Sequence, residues 1–169
     1  MGQSAFRNLF LRPDKKKDKR TKQRDPVSDR SILIVDDSRT VVHALKTTLE
    51  QAGYSTIAAS DGKRGIELAI EYQPDLILMD IVMPGINGFK ATRLLRKETR
   101  TEDIPIIIMS GNEQATEKFW GMRLGANEFI SKPIQRGLLF KMLDDFIVSV
   151  NTSGKQKSKD STNYDLLYD

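Results

Sequence analysis

Short apolar segments alternate with longer segments of helical periodicity from residue 31 onward. The short segments do not have the length of helices, and apolar runs of this kind are typical of strands buried on both faces of a parallel sheet. Four of them are followed directly by a polar residue, and the turn signal Met83-Pro84-Gly85 comes shortly after the third. The predicted strands are 32–35, 54–58, 76–79, 106–109 and 127–130.

The segments after these strands carry apolar residues at helical spacing. Ser38 is a good N-cap for a helix that runs through about Ala52 and ends at Gly53. Asp61-Gly62 and Asn87-Gly88 mark the turns before the next two helices. In the last helix five apolar residues are expected to face the core. The residues on the predicted helical faces are Val42, Leu45 and Leu49, then Ile66, Leu68, Ala69 and Ile70, then Phe89, Leu94 and Leu95, then Ala115, Phe119 and Met122, and finally Leu138, Leu139, Met142, Leu143 and Phe146.

Five strands that alternate with five helices predict an α/β fold with a doubly wound parallel sheet. We place this domain at residues 31–150. The flanking segments, 1–30 and 151–169, are rich in charged and polar residues, and we expect both to be disordered. The second segment nevertheless contains four apolar residues close together, Tyr164, Leu166, Leu167 and Tyr168.

Composition excludes several classes of protein. The chain of 169 residues suits one domain with tails, and the absence of cysteine excludes disulfides, thiolate chemistry and cysteine-based metal sites. The sequence has no apolar run of membrane-spanning length and no secretory signal, so we expect a soluble, cytoplasmic protein. The glycines form no Walker loop or dinucleotide-binding motif.

The net charge of +4 is concentrated in the N-terminal tail. Residues 1–30 hold ten Lys or Arg and four Asp, whereas residues 31–150 are slightly acidic. The high isoelectric point therefore does not indicate that the folded domain binds nucleic acid. The tail itself, with Phe6, Leu9 and Phe10 before a basic run, is a candidate for weak contact with anionic lipid or a partner. A solvated tail without a partner is the alternative.

Polar residues with complementary chemistry follow four of the predicted strands. They are Asp36-Asp37, Asp80, Ser110 and Lys132. Because all strands of such a sheet point the same way, these residues should meet at one edge, where open α/β sheets bind ligands. Three carboxylates without an arginine repel one another unless a cation joins them, and oxygen ligands suit a hard ion such as Mg²⁺. A lysine and a hydroxyl beside that ion can receive a phosphoryl group, and an aspartate can act as the nucleophile.

Each of these residues also has a simpler explanation. Asp36-Asp37 and Ser110 could cap helices, Asp80 could cap a loop, and Lys132 could be a surface residue before a proline. Such residues at the ends of four separate strands are difficult to explain as caps. The joint pattern therefore favours a phosphoryl acceptor site over a set of unrelated caps.

Four segments resemble the receiver domain of response regulators. They read ILIVDDS, PDLILMDIVMPGINGF, IPIIIMSG and GANEFISKPI, and the resemblance extends over about residues 31–150. It implies a flavodoxin-like sheet of order 2-1-3-4-5. The stretch EKFWGMRLGANEFISKPI, with NGFKATR before it, is similar to single-domain regulators of twitching motility.

The resemblance also implies a role for each candidate residue. Asp80 is the implied phosphoacceptor, and Asp36 and Asp37 are the implied Mg²⁺ ligands, together with Asp80 and the backbone carbonyl of Val82. Ser110 and Lys132 are expected to contact the phosphoryl group. The remaining implied roles are a switch formed by Ser110 and Phe129, a cis peptide bond at Lys132-Pro133, and control of the dephosphorylation rate by Val82 and Asn112.

The implied function is a phosphorylation-dependent signalling switch of a two-component system, with a histidine kinase as the donor. Such a chain is not an enzyme in the usual sense, since it phosphorylates itself with Mg²⁺ and dephosphorylates itself weakly. Because no further domain pattern follows residue 150, output is expected through protein contacts of helix 4, strand 5 and helix 5. The alternatives are a docking module independent of phosphorylation and a phosphate sink. An aspartate-based phosphohydrolase is less well supported, since Val82 replaces the usual second acid.

Overall fold

The structure, a computed structural model, describes residues 30–111 and 115–148. The predicted tails, apart from Arg30, and Asn112 therefore lie outside the described residues. Strands and helices alternate as predicted, and the last α-helix continues into one π-helical turn, Asp144–Val148. The strands are β1 (Ser31–Val35), β2 (Ser55–Ala59), β3 (Leu76–Asp80), β4 (Ile106–Ser110) and β5 (Glu128–Ser131); the helices are α1 (Arg39–Glu50), α2 (Gly62–Tyr72), α3 (Gly88–Leu95), α4 (Ala115–Arg123) and α5 (Arg136–Leu143).

The five strands form one parallel sheet in the order β2-β1-β3-β4-β5. This order confirms the predicted doubly wound, flavodoxin-like fold. The register pairs Asp80 of β3 with Met109 of β4, and Ser110 of β4 with Ser131 of β5. The ends of the central strands are therefore aligned along one edge of the sheet.

Side-chain caps explain where three of the helices begin. Ser38 accepts a hydrogen bond from the backbone N–H of Val41, Asp61 from that of Arg64, and Asn87 from that of Lys90. Each cap satisfies a backbone donor that has no partner within its own helix. The polar residues between the strands thus set the helix starts that the sequence predicts.

Two apolar cores lie on the two faces of the sheet. Within β1, Ile32 and Ile34 face the core formed with α1 and α5, whereas Leu33 and Val35 face the core formed with α2 and α3. Because successive side chains of a strand point to opposite faces, burial on both faces requires uninterrupted apolar runs. This explains the continuous apolar segments of β1, β3 and β4.

Several predicted details were wrong. Leu138 was expected to face the core but is 42% exposed, because α5 packs through Leu139, Met142 and Leu143 instead. Met122, assigned to the apolar face of α4, is 43% exposed. The predicted β2 and β5 each began and ended one residue too early. Within the described ranges, no helix combines the length and the apolar character needed to cross a bilayer.

A half-buried guanidinium organises the edge of the sheet opposite to the strand ends. Arg96 donates hydrogen bonds to the backbone carbonyls of Gly125 (2.7 Å), Ile104 (2.8 Å) and Glu102 (3.0 Å). It also donates to the side-chain oxygen of Asn127 at 2.7 Å. These bonds join the loop before β4 to the loop before β5, so a single side chain holds both loops in place.

Candidate functional site

Four of the predicted site residues meet at the carboxyl edge of the sheet. Asp36 follows β1, Asp80 ends β3, Ser110 ends β4 and Lys132 follows β5. Asp36, Asp80 and Ser110 are all buried, with 1%, 4% and 2% of their surfaces exposed. Buried polar groups of this kind need partners, because a charge removed from water is costly unless it is paired.

Lys132 supplies that partner by joining two carboxylates. Its Nζ lies 2.6 Å from Oδ2 of Asp36 and 2.7 Å from Oδ1 of Asp80. The other oxygen of Asp36, Oδ1, accepts a hydrogen bond from the backbone N–H of Ser38 at 2.8 Å. The backbone N–H of Lys132 in turn donates to the carbonyl of Ser110 at 2.7 Å, which fixes the lysine relative to β4.

The site still carries more negative than positive charge. Asp36, the exposed Asp37 and Asp80 each place a carboxylate oxygen within 4.8 Å of the others, and the only cation hydrogen-bonded to them among the described residues is Lys132. Burial raises the pKa of the Asp80 carboxyl and the charges of Asp36 and Asp37 add to this, although Lys132 opposes it. Burial acts to lower the pKa of Lys132, but its bonds to Asp36 and Asp80 outweigh burial and raise it.

These residues fit a bound Mg²⁺. The donor set consists of carboxylate oxygens without sulfur or imidazole, which is the chemistry that a hard divalent cation requires. The single ammonium leaves a deficit of positive charge among three close carboxylates, and the raised pKa of Asp80 reflects that deficit in part. Asp36, Asp37 and Asp80 are the residues that would hold the ion.

Gly88 fixes the backbone of Asp80, and the sequence analysis missed this role. A Cβ atom at Gly88 would overlap the carbonyl oxygen of Asp80 and lie 2.9 Å from its carbonyl carbon and 3.0 Å from Cα of Ile81. The N–H of Gly88 donates to the carbonyl of Ile81 at 3.0 Å. The Asn87-Gly88 pair was interpreted only as a helix start. The position of this glycine, a few residues after a candidate nucleophile, is the feature of the sequence that could have indicated such close packing.

The other predicted site residues lie around this cluster. Val82 is 74% exposed at the mouth of the site. Phe129 is half-buried in β5, where it pairs with Ile108 of β4. The peptide bond between Lys132 and Pro133 is cis. Asn112 lies outside the described residues, so its predicted role is not described by the structure.

Comparison with known proteins identifies the family. The response regulator receiver domain matches residues 32–144. The chain belongs to this family. The receiver domain is 46% identical over 113 residues to Protein PilH of Pseudomonas aeruginosa, and the alignment covers 67% of this chain and 93% of PilH. Alignments with longer transcriptional regulators cover 42–58% of those proteins, so this chain spans about half of their length.

Solved structures agree with this assignment. Chemotaxis protein CheY4 of Vibrio cholerae superposes with a TM-score of 0.66 at 28% identity, covering 69% of this chain and 98% of CheY4. The receiver domain of sensor histidine kinase PA1611 from Pseudomonas aeruginosa, solved with a magnesium ion in its active site cleft, gives 0.67 at 28% identity, covering 70% and 98%. The predicted family and fold are thus confirmed, and the general activity of the family is that of a phosphorylation-dependent switch.

Proposed function

We propose that Asp80 accepts a phosphoryl group from a phosphohistidine of a histidine kinase. The observation that carries this proposal is the bridge from Lys132 to Asp80 and Asp36, with three carboxylates at one edge of the sheet. In the transfer, a carboxylate oxygen of Asp80 forms the new bond to phosphorus while the bond from phosphorus to the histidine nitrogen breaks. Such reactions depend on positioning and charge neutralisation rather than on further covalent chemistry.

The side chains at the site divide this work among them. Lys132 keeps its proton, because its raised pKa lies far above neutral pH, and its ammonium can pair with a phosphoryl oxygen once Asp80 is modified. Ser110, at the end of β4, provides a hydroxyl for another phosphoryl oxygen. Gly88 holds the backbone of Asp80 in place. Ser110 and Phe129 then change position together as the switch.

Mg²⁺ completes the proposed site. Asp36, Asp37, Asp80 and the backbone carbonyl of Val82 are the proposed ligands. When bound, the ion supplies positive charge that neutralises the phosphoryl oxygens. The magnesium ion in the related PA1611 receiver domain supports this part of the proposal.

Val82 and Asn112 are proposed to prolong the phosphorylated state. The side chain of Val82, two residues after Asp80, has no group that can hydrogen-bond an attacking water, although it is exposed at the site. Val82→Asn should therefore accelerate loss of the phosphoryl group, measured as decay of the adduct after the donor is removed. Val82→Leu, which adds no polar group, is the control. Equal decay in all three proteins contradicts this proposal.

The signal is proposed to leave through protein contacts of α4, β5 and α5 in the cytoplasm. Trp120, Met122 and Leu138, which are exposed on α4 and α5, support an interaction surface there. The similarity to PilH supports a place in twitching motility or a related chemotaxis-like pathway. The basic N-terminal segment is proposed to contribute weak contact with a membrane or partner, and no nucleic-acid contact is proposed.

Incubation with acetyl phosphate and Mg²⁺, followed by intact mass measurement, tests the main proposal. The wild-type protein should gain the mass of one phosphoryl group, and Asp80→Ala should gain none. Asp144→Ala removes an exposed carboxylate from the far end of α5 and should behave as wild type. A wild-type protein without an adduct contradicts the proposal and favours a docking module independent of phosphorylation.

A further inference from the structure

An apolar groove lies between α1 and the start of α5, next to the loop that carries Lys132. Its volume is about 310 Å³, and most of its lining is apolar, with Val41 and Ala44 on one side and Ile134 and Leu139 on the other. This volume is at the lower end of the range of ligand pockets, roughly 300–1,000 Å³. The groove therefore has room for a short apolar segment.

The charged residues that line the groove are cationic. Lys132 is held by its two aspartates, whereas Arg136 is exposed and forms no ion pair within the described part of the chain. The guanidinium of Arg136 lies 5.3 Å from the ring centroid of Phe140, and both residues line an adjoining depression. No carboxylate is found among the described residues of either lining. An occupant that combines apolar and acidic side chains fits this surface.

A segment of this composition lies in the same chain, outside the described residues. Residues 164–169 read Tyr-Asp-Leu-Leu-Tyr-Asp, which places two carboxylates among four apolar side chains. The apolar residues near the N-terminus belong to a strongly basic segment, which the guanidinium of Arg136 would repel. We infer that residues 164–169 bind in the groove between α1 and α5 of the same molecule.

The chain between the groove and this segment is long enough for the contact. From Val148 back to Arg136 the helical path is roughly 18 Å, at about 1.5 Å per residue. Residues 149–163 connect Val148 to the segment, and fifteen residues can span up to roughly 50 Å. A short tether gives an effective concentration on the order of 1 mM, so contacts of modest affinity populate the bound form.

A spin label next to the segment tests this inference. Because the chain has no cysteine, Asn163→Cys provides a single attachment site for a nitroxide in the full-length protein. If the affinity is also on the order of 1 mM, about half of the molecules are in the bound form. The amide signals of Ala44, which lines the groove, and Gly137, which lines the adjoining depression, should then be strongly broadened relative to a diamagnetic label. Those of Ala69 and Thr92, in the helices on the opposite face of the sheet, should not.

Two sets of variants separate the groove contact from chance proximity. Leu166→Ser combined with Leu167→Ser should restore the groove signals, and these substitutions lie outside the folded domain predicted from the sequence. Arg136→Glu should reduce the broadening, whereas Lys141→Glu makes the same charge change at an exposed position of α5 outside the groove and should not. The difference between the two α5 variants isolates the contribution of charge at the groove.

Absence of broadening at the groove overturns the inference, and so does each of three other results. One is broadening of equal strength on both faces of the sheet, and another is broadening that the leucine substitutions leave unchanged. The third is broadening in a mixture of spin-labelled chains with separately isotope-labelled chains, which shows that a second copy of the chain supplies the segment. Broadening confined to the groove within one molecule, and lost with the leucines, supports it.

Discussion

Gly88→Ala should both destabilise the fold and slow phosphorylation of Asp80. The new Cβ would overlap the carbonyl oxygen of Asp80, and the carbonyl carbon of Asp80 and Cα of Ile81 lie at 2.9 and 3.0 Å. These are backbone atoms, so a side-chain rotation cannot relieve the overlap. Relief requires a displacement of roughly 1 Å between α3 and the end of β3.

The size of both effects follows from that displacement. Overpacking of a buried site costs about 1–3 kcal/mol of unfolding free energy, which lowers the Tm of a domain of this size by roughly 4–15 °C. A shift of about 1 Å in a reacting group can slow a reaction by about 100-fold. We therefore expect the rate of adduct formation with acetyl phosphate to fall by a factor between about 10 and 100.

The assay combines thermal unfolding with time-resolved mass measurement below the Tm of the variant. Gly137→Ala is the matched control, because no heavy atom lies within 4 Å of its added Cβ. It should keep the wild-type rate and should be as stable as wild type, or more stable by up to about 1 kcal/mol. A Gly88→Ala protein with wild-type Tm and rate refutes the packing argument, and a lower Tm with an unchanged rate refutes the positioning role.

Three further predictions concern charge and backbone. In EDTA, Asp80→Asn should be more stable than wild type at neutral pH and equal to it in acid, as thermal melts across pH can test. Because folding raises the pKa of Asp80, the stabilising contribution of this carboxyl is fully present below its unfolded-state pKa and is lost as pH rises through its folded-state pKa. Parallel curves of Tm against pH for the two proteins contradict this prediction. Arg96→Lys should lower the free energy of unfolding, measured in urea, by about 2–3 kcal/mol, because lysine cannot donate at once to the carbonyls of Gly125, Ile104 and Glu102. The control Arg100→Lys, at an exposed position, should change this free energy little. Gln73 has a φ of 46°, so Gln73→Gly should raise the free energy of unfolding by about 0.5–1 kcal/mol, and a lower Tm contradicts that.

The sequence predicted the order of elements because local chemistry defines it. Buried parallel strands need apolar residues on both faces, as in β1 and β4, and caps such as Ser38 and Asn87 mark where helices begin. Helical faces were less certain. Leu138 lies next to the buried stripe of α5, and periodicity alone does not decide which side of a stripe a neighbouring helix or sheet will cover.

The sequence by itself determined that Asp36, Asp80, Ser110 and Lys132 lie at the ends of their strands, since each comes within two residues after an apolar run in the chain. Only the tertiary structure decided that one ammonium holds two carboxylates, because Lys132 and Asp36 are 96 residues apart and meet only through the pairing of the sheet. The contact of Gly88 with Asp80 was likewise decided by packing. A glycine carries no side chain to indicate a contact, so close approach of two backbones becomes visible only when both are placed in space.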